Sequence, residues 1–303
     1  MPRRNAKRAR GRGPRKGGGR RSRRSGGPRR LLRRIAGKRT RDRLRRGFRS
    51  LPDAAQWPVG IVCAALLLVV INFAYQVVRK PTELYFPIED SLHKSHEQTW
   101  QAYGHLFRRH STPVVTADFL AALAQIEAAG NPVARTYWRF AWTSNPFGIY
   151  RPASSAVGMF QIIDGTFDEA RRYCIRDHRV VAEGPWYDWK TCWLNELYFR
   201  VVPSHAIELT AAHLQMSVDR ALRRHPVRGA SLRQKQDLAA LIHLCGAGAG
   251  AAHARRGLRL TPGLRCGSHE AYRYIAKMRM AQARFVRLDE GEEGSLLSGI
   301  FGP

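Results

Sequence analysis

The sequence has almost no negative charge where its positive charge is densest. Residues 1–50 carry 23 of the chain's 52 Lys and Arg side chains and a single acid, Asp42. They also have few large apolar side chains, so they cannot bury enough surface to offset the entropy of ordering. A disordered Arg/Gly-rich tail is therefore predicted over residues 1–53. Leu31, Leu32 and Ile35 are the exception. Set among arginines, they suit a short basic amphipathic helix at a membrane surface. The rest of the chain holds 29 basic and 22 acidic residues, so most of the net +29 belongs to the tail. This split implies a tail that meets anionic lipid or nucleic acid. It does not suit a body that binds nucleic acid throughout.

A second absence follows at once. No charged residue occurs between Asp53 and Arg79, and the centre of that stretch runs from Val59 to Ile71 without a polar side chain. As a helix, residues 54–78 reach about 37 Å, against a hydrocarbon layer of roughly 30 Å. A core helix seldom runs so long without a charge, so one transmembrane helix is predicted. Trp57 and Tyr75 fall near its two edges, where interfacial aromatics belong. Asn72 and Gln76 lie near the far end and need not mark a path through the bilayer. Positive charge stays on the cytoplasmic side, so the tail is expected inside and everything after the span outside.

Metal-binding patterns are missing too. The chain has no CxxC, no paired His spacing and no HExxH, which argues against zinc and leaves His178, His243 and His253 as structural residues. No cofactor is required. Cys63 lies in the span, and Cys174, Cys192, Cys245 and Cys266 follow it. Four cysteines in an oxidising compartment suggest two disulfides, with three possible pairings. The sequence-local pairing, Cys174–Cys192 with Cys245–Cys266, would close loops of about 20 residues, worth ~3 kcal/mol each.

Period-2 runs, βαβ alternation and internal repeats are absent as well, so the fold class is mainly α. Pro81 and Pro87 make residues 80–95 read as an extended linker, and a helix is predicted over 96–109, so 79–110 is a linker and helix. The main domain is placed at 111–286. Its first helix starts at Thr116 as N-cap and ends at Gly130, with Pro132 barring continuation. Glu127 follows Leu120 and Leu123 on the apolar stripe of that helix. There it either reaches solvent at the stripe's edge or sits partly desolvated, which would raise its pKa and suit it to acid catalysis.

Residues 133–157 are rich in aromatics that either stack on sugar faces or simply pack. Helices are predicted over 158–173, 206–223, 232–245 and 268–286. Between the first two lies an irregular insertion with Trp186, Trp189 and Trp193. The glycines of Gly246 to Gly250 allow close backbone approach. Residues 287–303, acidic and Gly-rich, are expected to be disordered.

Four segments, in order, resemble the lysozyme-like lytic transglycosylases of the SLT type. Glu127-Ala128 with Asn131-Pro132-Val133-Ala134 is similar to the family's Glu-Ser and Asn-Pro-x-Ala. Gly158-Met159-Phe160-Gln161 is similar to its Gly-Leu-Met-Gln. Leu244-Cys245-Gly246-Ala247-Gly248 is similar to its Ala-Tyr-Asn-Ala-Gly, and Tyr274-Ile275 to its late Tyr. The match covers roughly residues 115–280. Two departures stand out: Ala128 replaces the Ser, and Cys245-Gly246 replaces the Tyr-Asn.

The resemblance implies a lysozyme-like domain that cleaves the β-1,4 bond between N-acetylmuramic acid and N-acetylglucosamine in peptidoglycan, with Glu127 as acid and then base. It implies substrate contacts at Gly158, Met159, Phe160, Gln161, Ala247 and Gly248, and a hydrogen bond from Tyr274 to Glu127. Asp164, Asp168 and Glu169 are read as solvent-facing, so no second catalytic acid is expected. With the span, the resemblance implies a single-pass protein of the bacterial inner membrane, its N-terminus cytoplasmic and its domain periplasmic, with an envelope complex as a partner. A catalytically weak module that binds or scaffolds the wall is the alternative.

Overall fold

The structure is a computed structural model that describes residues 38–50, 52–188 and 190–300. The tail before residue 38, with Leu31, Leu32 and Ile35, lies outside the described residues, as does Trp189. The chain divides into two compact units between Leu67 and Leu68.

In the first unit, α1 spans Lys38–Arg49 and α2, Asp53–Arg79, begins. The tail was expected to be disordered to residue 53, yet 38–49 are helical. Lys, Arg and Leu are good helix formers, and Arg46 and Arg49 in the last turn complement the helix dipole. Helix α2 has 27 residues, and an 18-residue stretch of it has a mean hydropathy of 2.4, so it is long and apolar enough to cross a membrane.

The second unit is mainly helical. After α2 the chain does not extend as a linker. Pro81–Leu92 winds as a 3-10 helix. A buried carboxylate holds it there. Glu83 is fully buried, 3.4 Å from both Lys80 Nζ and Arg135 Nη1, and accepts a hydrogen bond from Trp138 Nε1 at 2.5 Å. A charge taken from water persists only with such partners.

Helix α3, His96–Arg109, follows as predicted, opened by a capping box between Ser95 and Gln98. Helix α4, Ala117–Ala128, is the centre of the core, with Phe119 through Ala124 almost wholly buried. Thr116 occupies its N-cap, but the hydroxyl accepts from Gln236 Nε2 at 3.0 Å and not from the helix. Ala129 and Gly130, both with positive φ, end it.

Strands β1 (Trp138–Phe140) and β2 (Tyr150–Pro152) form an antiparallel hairpin. The helix predicted over 158–173 is only a turn and then the short α5, Asp164–Ala170. The supposedly irregular insertion opens with a second hairpin, β3 (Tyr173–Arg176) with β4 (Arg179–Ala182). Helices α6 (Pro203–Arg224) and α7 (Leu232–Arg255) pack along one another. A two-residue hairpin, β5 (Arg265–Cys266) with β6 (His269–Glu270), leads directly into α8, Ala271–Ile300. The expected disorder after residue 286 is not seen as far as Ile300. Helix α8 runs on, and Arg108 Nη2 pairs with Asp289 at 2.5 Å. Helix α8 packs against α3, α4 and α7.

Both sequence-local disulfides are present, Cys174–Cys192 and Cys245–Cys266, and Cys63 is free and exposed. Replacing either disulfide pair with serines is expected to cost ~3 kcal/mol. Thermal denaturation of the full chain in detergent should show a lower Tm for each pair variant and no change for Cys63→Ser.

Candidate functional site

Helix α4 carries Glu127 one residue before its end. Leu120 and Leu123 fix that face inward, and the Glu127 side chain keeps 18% of its exposure. Two groups from distant segments meet it. Tyr274, in the first turn of α8, donates its hydroxyl to Glu127 Oε1 at 2.5 Å. His243, on α7, places Nε2 3.6 Å from the same oxygen.

The local fold explains this convergence. Helix α7 is broken at Gly246, whose φ of 80° and ψ of 170° a side chain would resist. The Cys245–Cys266 disulfide ties that break to the β5–β6 hairpin. The hairpin brings His269 to the cleft and feeds α8 at Tyr274. One crosslink therefore helps to place the helix break, His269 and Tyr274.

The resulting cleft has a volume of about 640 Å³, and its polar walls include Glu127, Gln161, Glu169, His213, His243 and His269. Of the other residues implied by the resemblance, Ala247 lines the cleft and Gly248 does not. Met159 and Phe160 are fully buried in the core and do not reach it. Gly158 supports the turn. Its φ is 81°, and a Cβ there would lie 2.4 Å from the Arg200 carbonyl oxygen. Gln161 faces the cleft, but its amide Nε2 donates to the backbone oxygens of Ala134 and Gly158, at 3.3 and 3.0 Å. The aromatics of 133–157 are not in the cleft walls.

Four cleft residues were misread or overlooked in the sequence. In the sequence His243 reads as structural, although it lies just before Leu244-Cys245-Gly246. His213 and His269 carried no signal, because neither stands at a recognisable spacing. Glu169 was expected to face solvent with Asp164 and Asp168. Those two do, paired with Arg200 and Arg171, but Glu169 lines the cleft and accepts from Arg220 Nη1 at 2.8 Å. His178 and His253 instead hold loops, with Nδ1 at the carbonyls of Ser111 and Arg259. Among the described residues, no group of three or more His, Cys, Asp or Glu is placed to hold a metal ion.

The electrostatics reverse one expectation. Burial pushes the Glu127 carboxyl up. The hydrogen bond and charge of His243, the Tyr274 hydroxyl and the His269 charge together outweigh burial, so the carboxyl sits below its ordinary value and not above it. Tyr274 is pushed well above the usual phenol range by burial and by the Glu127 charge, so it remains a donor. The hydrogen bond from Arg220 is the largest influence holding Glu169 low. Burial lowers His213, against the pull of the Glu169 charge.

No protein-family model, curated protein or solved structure matches the chain. The chemistry is therefore argued from this geometry. A buried carboxylate with a fixed hydroxyl donor and a facing imidazole, at one side of an open cleft, is equipped to move a proton to and from a bound ligand.

A folded-state carboxyl depressed below its unfolded value stabilises the fold above the unfolded pKa. That contribution is lost as pH falls through the folded pKa. Carbon-13 NMR of the Glu127 carboxyl should show it titrating below an ordinary Glu in the wild type, and at higher pH in His243→Asn. Equal values in the two proteins would remove His243 as the controlling partner.

Proposed function

We propose that the chain is a membrane-anchored peptidoglycan lytic transglycosylase, with a lysozyme-like domain over residues 111–286 and Glu127 as its acid and base. The observation that carries this reading is the Glu127–Tyr274 hydrogen bond at the wall of an open cleft. The two residues are 147 positions apart. They are also the two for which the resemblance implies contact.

The mechanism follows from the proton inventory. His243 and Tyr274 hold the Glu127 carboxyl below its ordinary value. A glycan strand in the cleft excludes water, which strengthens the desolvation that already pushes the carboxyl up. Glu127, protonated from solvent as the strand enters, gives that proton to the glycosidic oxygen, and the bond to C1 breaks. Glu127, again a carboxylate, takes the proton of the sugar's own 6-hydroxyl, whose oxygen closes on C1. The product is a 1,6-anhydro sugar, and no water is consumed. Tyr274 holds the carboxylate in one orientation through both steps. With Ala128 in place of the family's Ser, and no Tyr-Asn, Gln161 and the three histidines supply the polar groups for the sugar's acetamido and hydroxyl substituents.

The address fits this substrate. The basic tail and a single span at 54–78 support a topology with the N-terminus in the cytoplasm and the domain in the periplasm at the inner membrane. Two disulfides suit that compartment. The tail is then free for anionic lipid, nucleic acid or a cytoplasmic member of an envelope complex.

Glu169 favours a second reading. Two carboxylates in one cleft can hydrolyse a glycoside with water, although Arg220 occupies one Glu169 oxygen. Digestion of purified peptidoglycan by the full chain, with mass analysis of products, separates the outcomes. Anhydro-muropeptides that fall about 10²–10⁴-fold in Glu127→Gln are expected. Reducing-end products would instead give the cleft to hydrolysis. Binding without any product would make the domain a wall-binding scaffold.

A further inference from the structure

The cleft uses none of the aromatics in residues 133–157, and the structure gives them another place. The β1–β2 hairpin lies on the C-terminal part of α2. Asn72 Nδ2 and Gln76 Nε2 each donate at 2.7 Å, to the carbonyls of Tyr150 and Phe147. Phe73 stacks on Trp138 with ring centroids 6.0 Å apart, and Tyr75 meets Phe147 at 4.8 Å. The two polar side chains at the far end of the predicted span are thus bonded to the hairpin and fix its level along the helix.

That level is set by length. A helix of 27 residues is about 40 Å long, against a hydrocarbon layer of roughly 30 Å. Residues 68–79 therefore cover the outer leaflet and the start of its headgroups. Between them and the hairpin is a groove of about 660 Å³, with walls that include Leu68, Ile71, Phe73, Trp138, Phe147 and Ile149. Its helical wall is a continuation of the span's own apolar surface, so it opens to the bilayer. Around it Phe140 is 58% exposed and Trp142 92%, a cost in water and an advantage at a membrane interface.

The hairpin's other face has the opposite chemistry. Arg139 stands directly across from Arg151 in the strand register, and both are exposed. Like charges so placed weaken a strand pair, and neither arginine forms an ion pair among the described residues. A lipid phosphate layer would complement them. The short strands also have open edges, which exclude the hairpin from the hydrocarbon centre and suit the interfacial layer.

We propose that the hairpin is a membrane foot seated in the outer leaflet, and that the groove behind it holds an acyl chain of a surrounding phospholipid. This rests on the reading of α2 as a membrane span. It adds a lipid site that limits how far the peptidoglycan cleft can rise from the bilayer.

The full chain can be reconstituted in phosphatidylethanolamine and phosphatidylglycerol vesicles doped with a phospholipid that carries a photoreactive diazirine in its acyl chain. Labelled peptides are then mapped by mass spectrometry. Label is expected on α2 and on residues 137–150. In Ile149→Asp, and in the variant Trp142→Asp, whose side chain is exposed and gives up only an edge contact with Phe140, hairpin label should fall several-fold while α2 label is unchanged. Label on α2 without label on the wild-type hairpin would overturn the proposal. If a bifunctional cross-linker then joined hairpins of two chains, the groove would belong to a second copy. Label on neither element would instead remove the span on which the proposal rests.

Discussion

A carboxylate with little access to water is the constraint on which this fold turns. Glu127 is placed by the apolar face of α4, and burial alone would neutralise it. Its charge survives because a tyrosine from α8 and a histidine from α7 reach it. Three helices from distant parts of the chain must therefore agree on one point in space. The break at Gly246 and the Cys245–Cys266 disulfide make that agreement possible, since together they set where α7 turns and where α8 begins.

Glu83 repeats the logic at a second place. It is more deeply buried than Glu127, and Lys80, Arg135 and the Trp138 indole gather around it. Lys80 caps the start of the 3-10 segment, Arg135 lies in the loop after α4, and Trp138 opens β1. Buried charge thus does different work at the two sites. At Glu127 one face stays open to a cleft, and the partners are groups that can exchange protons. At Glu83 the partners are a lysine, an arginine and an indole, and the carboxylate is closed off as a fastener between the 3-10 segment and the start of the β1–β2 hairpin.

Long apolar patterns were the most legible part of the sequence. Helix α2, helices α3 and α4, the paired helices α6 and α7 and the local disulfides were all readable, because burial and chain proximity dictate them. Residues 80–95 were misread since prolines signal a break in an α-helix but are compatible with 3-10 turns, and because a lone Glu83 says nothing of its partners. The stretch 158–173 reads as continuous helix in the sequence, because the tight approach of Gly158 to Arg200 that makes its first part a turn shows only in three dimensions. The acidic end of α8 reads as disordered in the sequence, although its composition tolerates helix and Arg108 pairs with Asp289. At the site, Glu127 and Tyr274 were found through motif order. His243, His213, His269 and Glu169 were not, because what unites them is a shared cleft and not a spacing.

The central claim is the proposal that Glu127, oriented by Tyr274, is the acid and base that opens a glycosidic bond in the cleft. The most direct measurement is kcat/KM for anhydro-muropeptide release from purified peptidoglycan by the wild type, Glu127→Gln and Tyr274→Phe. The account predicts release by the wild type, a loss of about 10²–10⁴-fold in Glu127→Gln and a smaller loss in Tyr274→Phe. Release by Glu127→Gln at the wild-type rate would contradict it.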